Sequence, residues 1–266
     1  MIKKLLALCA ICIVLINSVC IVNATTKAQE KISIPVLLYH HFMEDDVPEE
    51  RYSTTITGAQ FENQIKTLTE NGYNSISLEE LKAYIEDGIA LPKNPYIISM
   101  DDGYDSNYNI MYPILKKYNA KAVIFVIGNM IREEPGKHWN KNSLVWMTWD
   151  MLKEMEDSGL VEIQNHGYIH KPADKLMDEE FRESVINGEE LLNEKLGERK
   201  VKTFAYPHGK ATTYTKQILK ENGYIAHFMV NPGTIKKTSK MDSLPRIIVS
   251  YGKTGEDVIK LIKKYS

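Results

Sequence analysis

Short apolar segments rich in β-branched and aromatic residues recur along the chain, and polar or turn residues follow each of them. Seven of these segments have the length and composition typical of buried β-strands. They are Pro35–Tyr39, Tyr96–Met100, Ala122–Ile127, Val161–Gln164, Val201–Tyr206, Ile225–Val230 and Ile247–Ser250. Because segments of helical period separate them, the pattern predicts a parallel sheet built from repeated strand and helix units.

Between the predicted strands, apolar residues recur at three- and four-residue spacing, which predicts amphipathic helices. The clearest stripes are Phe61/Ile65/Leu68, Leu78/Leu81/Ile85, Ile110/Ile114/Leu115, Phe181/Val185/Leu192/Leu196 and Val258/Leu261/Ile262. Asn71-Gly72 and Asn222-Gly223 are typical helix ends. Seven strands that alternate with helices favour a single-domain βα-barrel over an open sheet. Both architectures place functional sites at the carboxyl ends of the strands.

The N-terminal segment differs in composition from the rest of the chain. Lys3 and Lys4 precede an apolar run from Leu5 to Val22, which is typical of an export signal. The predicted divisions are a signal peptide at 1–24, a polar linker at 25–33 and one domain at 34–266. The mature protein is therefore expected outside the cell, with an uncleaved membrane anchor as the alternative.

Cysteine content and charge exclude several classes of site. The three cysteines, Cys9, Cys12 and Cys20, all lie within the predicted signal. The mature chain then has neither a disulfide nor a thiolate metal site. Removal of residues 1–24 takes away two lysines and no acidic residue, so the net charge falls from −2 to about −4. This balance offers no electrostatic footprint for nucleic acid.

Two adjacent carboxylates, Asp101 and Asp102, follow the strongly apolar strand Tyr96–Met100 and precede Gly103. A turn is the simplest interpretation of such a sequence, since Asp and Gly are common turn residues. Like charges side by side are unfavourable, however, unless a cation or a shared proton compensates them. A divalent metal would do so, with one carboxylate as a ligand and its neighbour as an ionised base.

Two histidines, His166 and His170, follow the strand Val161–Gln164. Histidines four residues apart can bind one metal ion when the backbone makes a turn, although such a pair is often structural. With one aspartate from the first cluster they supply three ligands and leave a position for water or substrate. Imidazole and carboxylate ligands favour zinc but also suit cobalt, manganese and nickel.

Further polar residues stand at other predicted strand ends. Tyr206-Pro207-His208-Gly209 follows the fifth predicted strand, and such a rigid bend could present a backbone N–H to an oxyanion. His40 and His41 close the first strand, and Arg246 opens the last. Each of these is a candidate site residue, with a packed or paired structural role as the alternative.

The three clusters together resemble the polysaccharide deacetylases of carbohydrate esterase family 4, the NodB-homology enzymes. Residues 99–104 (SMDDGY), 166–170 (HGYIH) and 204–209 (FAYPHG) are similar to the first, second and third motifs of that family. The resemblance implies an α/β fold, a distorted (β/α) barrel of about seven parallel strands. It also implies a zinc-type metal and removal of acetyl groups from N-acetylglucosamine units.

The resemblance implies roles for individual residues as well. Asp101 is expected to act as the catalytic base. The expected metal ligands are Asp102, His166 and His170. The backbone N–H of His208 is expected to contribute to the oxyanion site. The expected oxyanion and substrate-binding residues as a group are Tyr206, Pro207 and His208.

Two features depart from the family pattern. The third motif usually carries an arginine that steadies the base, and Ala205 stands at that position here. The C-terminal region also has no clear Leu-x-x-His motif to supply a general acid. In both features the chain resembles the branch that deacetylates exported poly-N-acetylglucosamine. In that branch the acid histidine comes from the first strand. This resemblance implies that His40 is the acid and that Arg246 stands near Asp101.

We therefore predict a secreted, metal-dependent N-deacetylase acting on an extracellular or cell-wall glycan, with poly-N-acetylglucosamine as the first candidate. Peptidoglycan and chitin oligomers are alternative substrates, and O-acetyl esters of xylan-type polymers would use the same site. Another alternative is a glycan-binding homologue that has lost the chemistry. We expect a monomer with no nucleic-acid partner, and membrane association only through an uncleaved N-terminal segment.

Overall fold

The computed structural model describes residues 32–44, 54–138 and 143–266. The predicted signal peptide at 1–24 and most of the predicted linker at 25–33 lie outside these residues and stay predictions. Within the described ranges, no helix is both long enough and apolar enough to span a lipid bilayer.

The described residues form eleven strands and seven α-helices. The strands are β1 (Ile34–Tyr39), β2 (Phe42–Met43), β3 (Ile56–Thr57), β4 (Asn74–Ser75), β5 (Pro95–Asp102), β6 (Ala122–Val126), β7 (Val161–Asn165), β8 (Thr203–Ala205), β9 (Ala226–Phe228), β10 (Thr234–Ile235) and β11 (Ile247–Ile248). The helices are α1 (Gly58–Glu70), α2 (Leu78–Lys82), α3 (Tyr112–Tyr118), α4 (Trp149–Asp157), α5 (Asp178–Leu196), α6 (Thr213–Glu221) and α7 (Gly255–Tyr265). Wider helical turns extend α2 over Ala83–Asp87 and precede α3 over Asn107–Met111.

Seven parallel strands form one curled sheet in the order β9, β8, β7, β6, β5, β1, β11. Its two edges are joined by one short segment. Leu244 pairs with Phe228 of β9, and Ile247 pairs with Leu37 of β1. Residues 244–248 therefore link both edges of the sheet, and the predicted distorted barrel of seven parallel strands is confirmed.

Side chains alternate between the inside of this barrel and its helix-covered outside. On β5, Ile97 packs in a cluster with Phe125 and Phe228, whose ring centroids are 5.4 Å apart. Its neighbour Ile98 belongs to the separate cluster beneath the helices. Because side chains alternate with a period of two, Asp101 shares the inner face with Ile97. Asp101 therefore lies at the end of the apolar interior of the barrel.

All seven predicted strands are present, with bounds that differ by a few residues. Four short strands, β2, β3, β4 and β10, were not predicted. Each has two residues, which is too short for a periodic pattern to reveal. Helix α4 was also missed, although Thr148 caps its first turn by accepting a hydrogen bond from the Met151 N–H.

Candidate active site

Asp101 and Asp102 end β5, and a sharp turn brings both carboxylates to the mouth of the barrel. Adjacent residues of an extended strand normally point to opposite faces. Here Asp102 has φ 76° and Gly103 has φ 80°, so the backbone leaves the strand through two left-handed residues. A Cβ at Gly103 would also lie 2.9 Å from the Ile131 side chain, so this position favours glycine.

Three side chains converge at this mouth from β5 and from the loop after β7. Asp102 Oδ1 lies 3.6 Å from His166 Nε2 and 3.3 Å from His170 Nε2. One ligand atom from each of the three residues lies within 4.8 Å of the others. Among the described residues, this is the one group with the spacing and composition to hold a metal ion.

The orientation of His166 is set by a hydrogen bond on its other ring nitrogen. His166 Nδ1 lies 2.7 Å from the carbonyl oxygen of Ala205, so Nδ1 carries the proton and donates it. The lone pair of Nε2 then faces Asp102, as a metal ligand requires. Burial lowers the pKa of His170 to about 4. Both imidazoles are thus suited to be neutral ligands.

The three residues fit a divalent metal ion by an independent observation. Asp102 Oδ1 is buried and has no hydrogen-bond partner among the described residues. A buried carboxylate oxygen without a partner is unfavourable, and a cation would satisfy it. Three protein ligands would leave a coordination position open, which is the arrangement of catalytic sites.

Arg246 and Asp101 form a fully buried ion pair. The guanidinium donates from Nη1 to Asp101 Oδ1 and from Nη2 to Oδ2, both at 2.7 Å, and its Nε donates to the carbonyl of Met229 at 2.8 Å. Burial alone would raise the pKa of Asp101, but the Arg246 guanidinium outweighs it and holds this pKa at about 2. Asp101 is therefore ionised at neutral pH.

His40 and His41 point to different sides of the chain. Because Tyr39 of β1 pairs with Met100 of β5, the next residue His40 comes beside Asp101 at the strand ends. Burial lowers the pKa of the His40 imidazole, and the carboxylates of Asp101 and Asp102 partly oppose that effect. Its Nδ1 is buried and has no hydrogen-bond partner within the described residues. His41 instead lies outside the mouth, with Nδ1 3.0 Å from the hydroxyl of Ser106. Alternation along β1 thus directs only His40 to the site.

The residues of the third motif divide between the site and the core. His208 has φ 57°, and its ring stacks on His170 with centroids 4.6 Å apart. Tyr206, in contrast, is fully buried, and its ring packs against Phe181. Its backbone N–H donates to the carbonyl of Phe228. The structure therefore brings His208 to the site, keeps the Tyr206 side chain away from it, and buries Pro207.

Sequence reasoning missed the residues that support the site from behind. Ala205 was noted only for its missing arginine, yet its carbonyl orients His166. Asn165 and Ser184 were not singled out, although both bond to the loop that carries the two histidines. Adjacency of Asn165 to His166 was the one available signal. Ser184 lies far along the chain on α5 and gave none.

A cavity of about 1000 Å³ lies elsewhere on the molecule. Tyr224 and Ile225, which precede β9, line it together with Lys216 and Lys240, so it opens near the amino-terminal end of that strand. None of the predicted site residues lines it. The convergence of charged groups at the carboxyl ends remains the candidate active site.

Comparison with known proteins agrees with this geometry. Residues 89–227 match the family model described as polysaccharide deacetylase. The protein YxkH of Bacillus subtilis (strain 168) is 27% identical over 233 residues, which cover 88% of this chain and 77% of YxkH. The poly-beta-1,6-N-acetyl-D-glucosamine N-deacetylase of Staphylococcus aureus (strain MSSA476) is 30% identical over 203 residues, which cover 74% of this chain and 68% of that protein.

The fold has a solved counterpart. The deacetylase PplD of Streptococcus pyogenes, solved in complex with acetate, superposes with a TM-score of 0.77 and 25% identity. The match covers 87% of this chain and 98% of PplD. Family model, relatives and fold agree with the motifs at the carboxyl ends of the strands. The chain belongs to the polysaccharide deacetylase family.

Proposed function

We propose that this protein is a secreted, metal-dependent N-deacetylase that removes acetyl groups from N-acetylglucosamine units of an extracellular or cell-wall glycan. One observation carries the proposal: an ionised Asp101 stands beside the three-donor group of Asp102, His166 and His170. Its Oδ2 lies 4.0 Å from His166 Nε2. A carboxylate in this position can take a proton from a water molecule that enters the site next to the three donors.

The donor set also indicates which metals to test. One carboxylate and two imidazoles with an open position are typical of catalytic zinc, while cobalt, manganese and nickel are alternatives. When bound, such an ion would polarise the acetamide carbonyl and lower the pKa of water.

The residues of the chain would then move two protons. Asp101 takes a proton from the attacking water molecule while the water oxygen forms a bond to the acetyl carbon. The backbone N–H of His208 would donate to the developing oxyanion. As the carbon–nitrogen bond breaks, His40 protonates the departing amine, and acetate and a glucosamine unit are released. An amine is a poor leaving group unless it is protonated, so the reaction requires a general acid near the amide nitrogen.

Poly-N-acetylglucosamine is the first candidate substrate for two reasons. The Staphylococcus aureus relative is named as a deacetylase of this polymer. Arg246 holds Asp101 in this chain, in which the third motif has Ala205, and His40 stands at the end of the first strand beside the carboxylates. Peptidoglycan and chitin oligomers are the alternatives.

The test is acetate release from the three polymers in parallel, with and without a chelator, followed by metal re-addition. We expect release that the chelator abolishes and zinc restores, fastest on poly-N-acetylglucosamine. Binding of a polymer without acetate release under any metal would instead support a glycan-binding homologue. Faster release from peptidoglycan or chitin would keep the chemistry and overturn the substrate.

Export is tested separately. Cleavage of the predicted signal should give a mature protein that begins near Thr25 and is found outside the cytoplasmic membrane. N-terminal sequencing of protein released to the medium that finds Lys3 still present would contradict cleavage. Recovery only in the membrane fraction would favour the anchor.

A further inference from the structure

Both histidines of the candidate metal group lie on a loop that has no regular secondary structure. His166 directly follows β7, and His170 precedes the short helical turn Ala173–Lys175. Gly167 between them has φ 88°, a left-handed conformation. A loop of this kind does not hold two ligands at fixed positions by its own hydrogen bonds. Its geometry depends on groups that bind its backbone.

Ser184 of α5 binds this loop at two successive backbone positions. Its hydroxyl accepts hydrogen bonds from the N–H of Tyr168 at 3.0 Å and of Ile169 at 3.2 Å. The Ser184 carbonyl also accepts from the Tyr168 N–H at 2.8 Å. A Cβ at Gly167 would lie 3.0 Å from the Ser184 hydroxyl, so loop and helix are in close contact.

Asn165 holds the start of the same loop from the strand side. Its Oδ1 accepts from the Gly167 N–H at 2.7 Å, and its Nδ2 donates to the Val185 carbonyl at 3.0 Å. The side chain is fully buried against α5, at Gly188. A Cβ at Gly188 would come 2.7 Å from Asn165 Oδ1, so only glycine leaves room for this contact.

The Asn165 amide continues into a buried polar network. Its Nδ2 also donates to the Tyr224 hydroxyl at 2.6 Å, and that hydroxyl donates to Glu189 Oε2 at 2.8 Å. Arg199 Nη2 donates to Glu189 Oε1 at 3.0 Å. The amide that bonds to the metal-binding loop is therefore fixed by groups on α5 and by the segments preceding β8 and β9.

We propose that Ser184 and Asn165 are positioning residues that set the metal affinity of the site by fixing the backbone of the loop from His166 to His170. Neither residue belongs to the three-donor group, and neither is assigned a part in the chemistry. The inference rests on the proposed function, since it presupposes that Asp102, His166 and His170 hold a metal ion. Supporting groups of this kind typically change metal affinity by about 10- to 100-fold when they are removed.

The first test measures metal affinity without any glycan. Purified wild type and Ser184→Ala are titrated with Zn²⁺ against a competing chelator, and with Co²⁺ while its visible absorption is recorded. We expect Ser184→Ala to bind zinc about 10-fold or more weakly, with an altered Co²⁺ spectrum because the histidines no longer hold one geometry. The matched control is Ser77→Ala, which removes the hydroxyl that caps α2 by accepting from the Glu80 N–H. It should lower stability and leave metal affinity unchanged.

The second test approaches the same contact from the helix. Gly188→Ala raises the helix propensity of α5 but places a methyl group against Asn165. We expect weaker zinc binding although the helix is intrinsically more favourable, and chemical denaturation of the same variant separates this local effect from a general loss of stability through overpacking. Tyr224→Phe, which removes only the hydroxyl next to Asn165, should give a smaller loss of affinity in the same direction.

Two results would overturn the proposal. Wild-type zinc affinity and an unchanged Co²⁺ spectrum in folded Ser184→Ala would show that the hydroxyl does not position the ligands. Unchanged affinity in Gly188→Ala would show the same for Asn165, and would decide the matter if Ser184→Ala did not fold. A wild-type protein that binds no metal would instead refute the metal site of the proposed function, so the two failures are distinguishable.

Discussion

Arg246 donates two parallel hydrogen bonds to the carboxylate of Asp101, each with a nitrogen–oxygen distance of 2.7 Å. Both side chains are almost completely buried. The planar fork of Arg246 matches the carboxylate, and the ring of Phe125 lies below it, with the guanidinium carbon 5.6 Å from the ring centroid. Arg246 belongs to the segment that links the two edges of the barrel. The partner of Asp101 is therefore held by the closure of the sheet.

Replacement of this arginine should change both stability and pH dependence. The pair contributes stability that is complete above the ordinary aspartate pKa of 3.8 and is lost as the pH falls towards about 2. Arg246→Met leaves a buried carboxylate unpaired, so we expect a loss of about 3–5 kcal/mol in the free energy of unfolding at neutral pH. The Asp101 pKa should rise, and the acid limb of the kcat/KM profile should move to higher pH.

Arg182→Met is the matched control for this variant. Arg182 pairs with Glu221 at 3.4 Å on the surface, where solvent screens both charges, so loss of this pair should change stability little. Chemical denaturation and a pH–rate profile on both variants make the comparison. An Arg246→Met protein with an unshifted acid limb would show that Asp101 does not control that limb.

The neighbouring carboxylates should respond differently to substitution. Asp102→Ala and His166→Ala remove a metal ligand, so we expect loss of tight metal binding together with activity. Asp101→Asn removes the base and leaves the three donors, so it should retain metal and lose more than about a hundredfold in rate. Metal analysis of the purified variants and acetate release measure the two effects. Near-stoichiometric zinc in both ligand variants would contradict the ligand assignment.

The two histidines that follow β1 should also differ. His40→Ala should lower turnover on the glycan by about 10²- to 10⁴-fold with little change in metal content. His41→Ala should be much milder, because His41 bonds to Ser106 away from the carboxylates. The loss in His40→Ala should shrink on an activated aryl acetate ester, whose leaving group needs no proton. Equal losses on both substrates would assign His40 a structural role.

A histidine outside the site should make the protein sensitive to acid. Burial lowers the pKa of His227 from 6.5 to about 4. In the unfolded chain His227 is protonated below about pH 6.5, whereas in the folded protein it is protonated only below about pH 4. The free energy of unfolding therefore decreases as the pH is lowered from about 6.5 to about 4. The cost is on the order of 3 kcal/mol when the window has been crossed.

His227→Gln should remove this part of the pH dependence. We expect the unfolding free energy of the variant to fall less than that of the wild type between pH 7.5 and pH 4.5, measured by urea denaturation at constant ionic strength. Parallel pH dependences for the two proteins would show that His227 is not protonated on unfolding in this range.

Local patterns were sufficient to predict the seven parallel strands of the barrel and the ligand-bearing motifs. Most of these strands are buried on both faces, so their sequences are continuous apolar runs, and the polar residues at their carboxyl ends are distinct from that background. Asp102, His166 and His170 come from only two such ends, β5 and β7. Because all the parallel strands of a sheet end at the same edge, the approximate convergence of these three residues followed from the pattern and the family resemblance.

Tertiary structure decided the contacts that hold the site, although the family resemblance had already implied that Arg246 stands near Asp101. The pairing of Arg246 with Asp101 joins residues 145 positions apart, and the bond between His166 and the Ala205 carbonyl joins residues 39 positions apart. Neither contact leaves a periodic trace, because each depends on barrel curvature and on backbone groups that every residue possesses. The burial of the Tyr206 side chain, in a residue predicted to belong to the oxyanion and substrate-binding group, has the same origin. Motif spacing determined which groups could react, whereas packing across the barrel determined their orientation and charge.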